Sequence, residues 1–597
     1  MNGSMASGVL DLWAPQQEKE SVEVNDRSYD ERVCDVLIIG AGGAGLRAAI
    51  ESHDRGAKTL VVCKSLLGKA HTVMAEGGIA AALGNVDPKD SWEVHFSDTI
   101  VEGQHLSNWR IVEIFAKEAI ERVYELERYG AVFDRTPAGK ISQRPFGAHT
   151  YRRLCNIGDR TGLELIRTLQ DQVVARGVPF MDEVMTTCLF RDPKTGRAAG
   201  ALGIDIKTGK LLLFRARAVI IATGGSGRVY QVTSNSYEST GDGIGMAYRA
   251  GAELMDMEMI QFHPTGMIYP PGVRGMLVTE AVRGEGGILT NSEGERFMSK
   301  YDPKRMELSA RDVVARSIYT EIMAGRGSKG GGVYLDISHK GADHIKKKLP
   351  SMYDQFLAFA DIDITKDKME VAPTVHYQMG GIRVDPETAE SSVKGLYAAG
   401  EVASGLHGAN RLGGNSLSDI LVFGKRAGDA AAKSATAVDL PSVDSKEVEK
   451  EISRVLSPFS STGSANPFHI KEEIASNMWA HVGIVRNAVD LEAGLVEIER
   501  LRKDAKGLKA VGPRAYNQSW TDSLQVLDML LICEAMIRSA LERKESRGAH
   551  TRSDFPAKDP KWLVNIITVQ EDGKMVRRTV PVSTPPQELQ RLIKEDD

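Results

Sequence analysis

The chain has 597 residues, 42% hydrophobic and 26% charged, the composition of an ordinary folded protein long enough for roughly three to five domains. Lys and Arg number 75 against 80 Asp and Glu, a formal net charge of -5, so there is no basic field to neutralise nucleic-acid phosphates. Five scattered cysteines with no C-x-x-C pair indicate neither a disulfide framework nor a protein-borne zinc or iron-sulfur site, and fit a reducing compartment.

Residues 1–30 read as a polar N-terminal tail without the basic-then-apolar pattern of an export signal. No run approaches the ~18 apolar residues of a spanning helix, so no direct membrane span is expected. "VCDVLIIGAGGAGLRAAIESHDRGAKTLVVCKS" predicts an apolar strand, a glycine turn, an amphipathic helix and a second strand, a βαβ unit. Gly40, Gly42 and Gly45 fall in G-x-G-x-x-G register, where bare backbone lets a pyrophosphate approach the amides of a helix N-terminus. The second strand ends in Lys64 and Ser65 rather than in an acid placed for a ribose hydroxyl, which argues against NAD more than against FAD.

Further on, "RAVIIATGG" predicts another buried strand ending in Thr223-Gly224-Gly225, and 394–428 predicts a short strand, glycine-rich backbone and an apolar helix that returns the chain to the same site. The intervening stretch from 261 to about 367 has the polar loops and short elements of an inserted domain. After the linker "VDLPSVDS", residues 446 to about 545 read as amphipathic helices whose Leu and Met stripes are core. "WLVNIITVQ" and "MVRRTVPV", joined by "EDGK", predict a hairpin.

Four separated segments place polar side chains beside glycine: "QFHPTG" (His263), "LVTEAVRGEGG" (Thr279, Glu280, Arg283), "ARDVVARS" (Arg311) and "PTVHYQMGG" (His376); "HGANRLGGNS" adds Arg411. Singly each is ordinary. Together, two arginines and two histidines would compensate a small dianion, because guanidinium presents a planar fork to carboxylate oxygens and keeps its charge.

These segments, with "KAHTVMAEGG", "GDRTG" and "TGDGIGMAYRAGA", stand in the order found in succinate dehydrogenase and fumarate reductase flavoprotein subunits, which the chain resembles from about residue 33 to "ESRGAHTRSDFP". The resemblance implies an α/β fold: a Rossmann-like FAD-binding domain (31–260 and 368–437), an inserted α+β capping domain (261–367), a helical domain (438–550) and a small C-terminal domain (551–597). It implies that His71 carries FAD covalently, with Gly40, Gly42, Gly45, Lys64, Thr72, Glu76, Gly77, Gly78, Ala222, Thr223, Gly224, Asp242, Glu401, Arg411, Ser416 and Leu417 around the cofactor. His263, Thr279, His376 and Arg411 are then expected to bind the substrate carboxylates, and Arg311 to transfer the proton with Glu280 and Arg283 as its relay.

The implied reaction is oxidation of succinate to fumarate, the electrons leaving through an iron-sulfur subunit, then through a membrane anchor that reacts with quinone. The expected location is peripheral, on the cytoplasmic side of a bacterial inner membrane, with a mitochondrial matrix as the alternative. Two other readings stay open: a fumarate reductase running in reverse, and an L-aspartate oxidase with non-covalent flavin. Glu76 favours the former, since an anionic carboxylate near the flavin disfavours its reduction and points to a menaquinone-linked complex.

Overall fold

The computed structural model describes Glu23 and residues 25–594. Its centre is a seven-stranded sheet of β1 (Tyr29–Ile39), β2 (Thr59–Val62), β3 (Phe180–Met181), β4 (Val184–Arg191), β5 (Ala198–Asp205) and β6 (Leu211–Ile221), in the order β3-β2-β1-β6-β5-β4, with the short strand Leu396–Ala398 also paired to β6. β1 begins inside the segment read as tail. β1 is parallel to both β2 and β6, with Ile39 opposite Val62 and Ile221, whereas β6, β5 and β4 form an antiparallel meander.

Both faces of the sheet are covered at the end of β1 nearest the turn, which is why Val36–Ile39 reads as an unbroken apolar run. Val36 and Ile38 pack beneath α1 (Gly43–Asp54), while Leu37 and Ile39 face the opposite core. A long helix, Asn415–Thr436, lies along α1 at close range: a Cβ on Gly424 would come within 2.7 Å of the Ala44 carbonyl, and one on Gly428 within 2.5 Å of the Ala48 carbonyl. The two glycines let the backbones meet.

A second, four-stranded sheet forms the cap from β7 (Ile260–Met267), β8 (Ile288–Thr290), β9 (Val333–Asp336) and β10 (Met369–Gln378), in the order β7-β10-β9-β8. The helix α2 (Arg311–Glu321) packs on it through Val314 and Ile318. The pairing of β7 with β10 is broken twice. Gln261 faces Tyr377 and Phe262 faces Val375, leaving His376 as a bulged residue; a second shift follows His263. Bulges re-aim side chains, and here they flank both imidazoles.

The helices α3 (Pro467–His481), α4 (Ala488–Asp504) and α5 (Gln518–Glu542) do not enclose a private core. Their Ile474, Met478, Leu491, Ile498, Met529 and Ile537 join the core beneath the large sheet. The C-terminal hairpin pairs Val564–Glu571 with Lys574–Pro581 around Asp572 and Gly573, whose φ of 48° and 74° suit a tight two-residue turn. The hairpin adds to Leu254–Met255, which in turn pairs with Gly381–Ile382. No helix among the described residues is long and apolar enough to cross a membrane.

Candidate active site

The turn between β1 and α1 is built around missing side chains. Gly40 has φ of 111°, and a Cβ there would meet the Ala222 carbonyl oxygen at 2.2 Å; a Cβ on Gly45 would meet the Gly40 oxygen at 1.9 Å. α1 starts at Gly42 with no side-chain cap and no acid in its first turn, leaving its first amides to an anionic ligand. Gly224, at φ of 75°, has open space on its Cβ side.

These residues floor a cleft of about 1650 Å³ of empty space, part of it open to solvent. It runs from Lys64 and Asp242 past His71, Thr72 and Glu76 to Thr279, Arg311 and Arg411. Gly40, Gly42, Gly77, Gly78, Ala222, Thr223, Gly224, His263, Glu280, His376, Glu401, Ser416 and Leu417 line it as well. Of the residues singled out from the sequence, Gly45 and Arg283 are not in the wall: Gly45 packs under Gly40, and Arg283 lies behind Glu280.

At one end, Lys64 pairs with Asp242 at 2.6 Å and donates to the Thr240 hydroxyl at 3.1 Å. Asp242, from far along the chain, thus brings a carboxylate beside Lys64 past the end of β2, with Glu238 also in the wall. In the middle, His71 begins a short turn against which the helix Thr161–Ala175 packs: the Gly162 amide donates to Ala75 O at 2.7 Å. Burial, with Arg228 and Arg411 nearby, pushes the His71 imidazole down to about 4.

Arg144 holds the next stretch, donating from Nε to the Gly77 carbonyl at 2.7 Å. The Glu76 carboxyl does not behave as the sequence suggested. Burial, reinforced by Asp159, pushes its pKa well above the carboxylate range, and one oxygen has no partner. That shift runs against the anionic carboxylate expected from the sequence. Burial likewise raises Glu401 to about 7, while the Gln378 amide donates to it at 2.9 Å.

The far end is the charged one. Arg311, the first residue of α2, donates from Nε to Glu280 Oε2 at 2.8 Å; Gly147 N–H donates to the other oxygen at 2.8 Å, and Arg283 Nη2 lies 3.6 Å away. Burial alone would raise the Glu280 carboxyl, but Arg311 and Arg283 hold it at about 2. Arg411 stacks over Tyr377, 4.4 Å from the ring centroid, and donates to the Ser416 hydroxyl at 3.0 Å, leaving its buried Nε without a partner. Burial, with Arg311 adding to it, lowers Arg411 to about 9.

His263 and His376 face each other with ring centroids 5.2 Å apart, and His376 lies 6.2 Å from His71. Burial and the guanidinium charges push both cap imidazoles well below their ordinary range. Two residues the sequence did not single out complete the site. Gln261 accepts from Arg311 at 3.2 Å and donates to the Arg411 carbonyl at 2.8 Å, joining the two arginines. Asn235 sits between His71 and the His376 backbone. The Gln261 signal was its place two residues before His263, on the same face of β7.

A glycine-floored βαβ turn, a long cleft and a cluster of guanidinium groups at its closed end define a flavin-dependent oxidoreductase. Unpartnered polar atoms at Thr223, His71 and Arg411, with the uncapped amides of α1, fit FAD along the cleft. Comparison with known proteins agrees. Residues 35–417 match the family model described as FAD binding domain, and 471–591 that described as fumarate reductase flavoprotein C-term. The chain is 49% identical over 535 residues to a subunit of the fumarate reductase (CoM/CoB) of Methanothermobacter marburgensis, covering 89% of this chain and 96% of that one. It is 40% identical over 572 residues to the succinate dehydrogenase flavoprotein subunit of Coxiella burnetii, covering 92% and 95%. The structure of Mycobacterium smegmatis Sdh1 in complex with UQ1 matches with a TM-score of 0.84 at 49% identity, covering 94% and 96%. The chain belongs to the succinate dehydrogenase and fumarate reductase flavoprotein family, that of complex II.

Proposed function

We propose that this chain oxidises succinate to fumarate, with FAD held covalently by His71 and electrons passing to an iron-sulfur subunit, then through a membrane anchor to quinone. The observation that carries the reading is the meeting of Arg311, Arg411, His263, His376 and His71 in one cleft. When bound, FAD supplies the two-electron acceptor. His263, Thr279, His376 and Arg411 hold the two carboxylates and orient the central carbons, and the buried site excludes water.

Arg311 takes the proton from the substrate carbon. A guanidinium resists deprotonation, and Glu280, hydrogen-bonded to its Nε with Arg283 behind, passes the charge on as the proton moves. The same groups serve fumarate reduction, which the 49% identity to part of a fumarate reductase favours as the second reading. Electrons then pass, at the cytoplasmic face of the membrane, to a partner subunit that holds the iron-sulfur centres.

Anaerobic titration of the holoprotein with succinate tests the assignment: the flavin absorbance should bleach, and the flavin should stay with the protein after acid precipitation. His71→Ser should keep FAD but lose succinate oxidation while retaining fumarate reduction. Bleaching by L-aspartate and not by succinate would overturn the reading.

A further inference from the structure

The amide of Asn235 touches two of the three histidines in the cleft. Its Nδ2 lies 3.4 Å from His71 Nε2 and donates to the His376 carbonyl oxygen at 2.8 Å. The second bond fixes the amide's orientation, because the reverse would set two carbonyl oxygens face to face with no proton between them. An amide nitrogen only donates, so His71 Nε2 must present its lone pair, and in the neutral ring the proton sits on Nδ1. Nδ1 is buried and has no protein partner.

Asn235 itself has little freedom. It is 2% exposed, its backbone N–H donates to Thr233 Oγ1 at 3.1 Å, and a Cβ on Gly227 would come within 2.0 Å of its Oδ1. The charged and titratable groups around His71 are Arg228, Arg411 and Glu238, with the His376 ring opposite. The two cations and burial outweigh Glu238 and keep the ring neutral, but they do not choose between its nitrogens. Asn235 does.

We propose that Asn235 is a positioning residue for flavin attachment, setting the tautomer in which His71 Nε2 keeps its lone pair; the 3.4 Å contact opens as that lone pair attacks the flavin 8α carbon. This rests on the covalent reading of His71 given above. In the step, the Nε2–C bond forms and one C–H bond of the 8-methyl group breaks. The methyl proton and the Nδ1 proton leave, and the two electrons of the broken bond remain on the flavin. Fumarate, the product of the proposed activity and the oxidant of its reverse, accepts those two electrons with two protons and becomes succinate, which balances the attachment.

The test uses the full-length apoprotein incubated with FAD and fumarate, following acid-stable flavin with time from neutral to alkaline pH. Asn235→Asp is nearly isosteric but puts a carboxylate against Nε2, favouring a protonated nitrogen there. Its attachment rate should fall about tenfold for each unit by which the ring's pKa exceeds the pH, and recover as pH rises. Asn235→Ala should slow attachment several-fold at every pH, FAD still binding, and Asn235→Ser, which keeps a short donor, should recover part of the loss and carries the test should the Asp variant not hold FAD. Wild-type rates and an unshifted pH profile in the Asp and Ala variants, with His71→Ser giving no attachment, would overturn the role of Asn235 and leave the tether intact. A wild-type protein that never acquires acid-stable flavin would overturn both.

Discussion

Glu280 is a carboxylate that would be costly to bury alone, and its stability comes from the two guanidiniums it separates. Its pKa in the folded chain, about 2, lies below the unfolded value of about 4.3. The stability it contributes is therefore present above that unfolded value and lost as pH falls towards 2. Glu280→Gln should remove this part of the acid limb in thermal melts against pH. At neutral pH it should cost about 3–5 kcal/mol, because Arg311 and Arg283 are left buried without an anion. Arg311→Ala should abolish turnover with FAD still bound, and Arg311→Lys should not restore it fully, since an ammonium cannot reproduce a fork that engages Glu280 and Gln261 together. Steady-state kinetics beside the flavin absorbance would check both.

The elements that hold FAD were legible because their constraint is local. Gly40 and Gly45 must lack side chains within one turn of chain, and that requirement is written in consecutive residues. Gly45→Ala should cost about 1–3 kcal/mol or more through overpacking and release FAD, measured as flavin content after gel filtration and as a lowered melting temperature. The arginine end of the cleft was legible only in its charged residues. The aim of His376 depends on a bulge between two strands more than a hundred residues apart, and the link through Gln261 depends on the register that brings it beside Arg411. Neither pairing leaves a periodic trace in the sequence. Glu76 shows the opposite limit: its identity was plain, but the burial that raises its carboxyl was not.

Across the whole molecule, the sequence suggested separable blocks, whereas the structure shows shared ones. The C-terminal helices complete the core of the nucleotide-binding sheet: α5, read from the sequence as amphipathic, is instead buried almost all round, so no single stripe announces its neighbours. Arg543, fully buried just beyond α5, binds Glu258 at 2.7 Å, Glu545 at 3.2 Å and Asp256 at 3.4 Å, and donates to the carbonyls of Trp562 and Val564. Arg543→Ala should cost about 3–5 kcal/mol, seen as a large fall in melting temperature, because it strands buried acids.

The chain enters and leaves its cap by adjoining strands, Leu254–Met255 and Gly381–Ile382, and the strand that clasps this stem begins at Val564. The clasp is therefore synthesised after both strands of the stem. A polypeptide truncated before Val564 would keep every residue that lines the cleft yet lose the strand paired with Leu254–Met255, so damage there would be felt in a cleft it never touches.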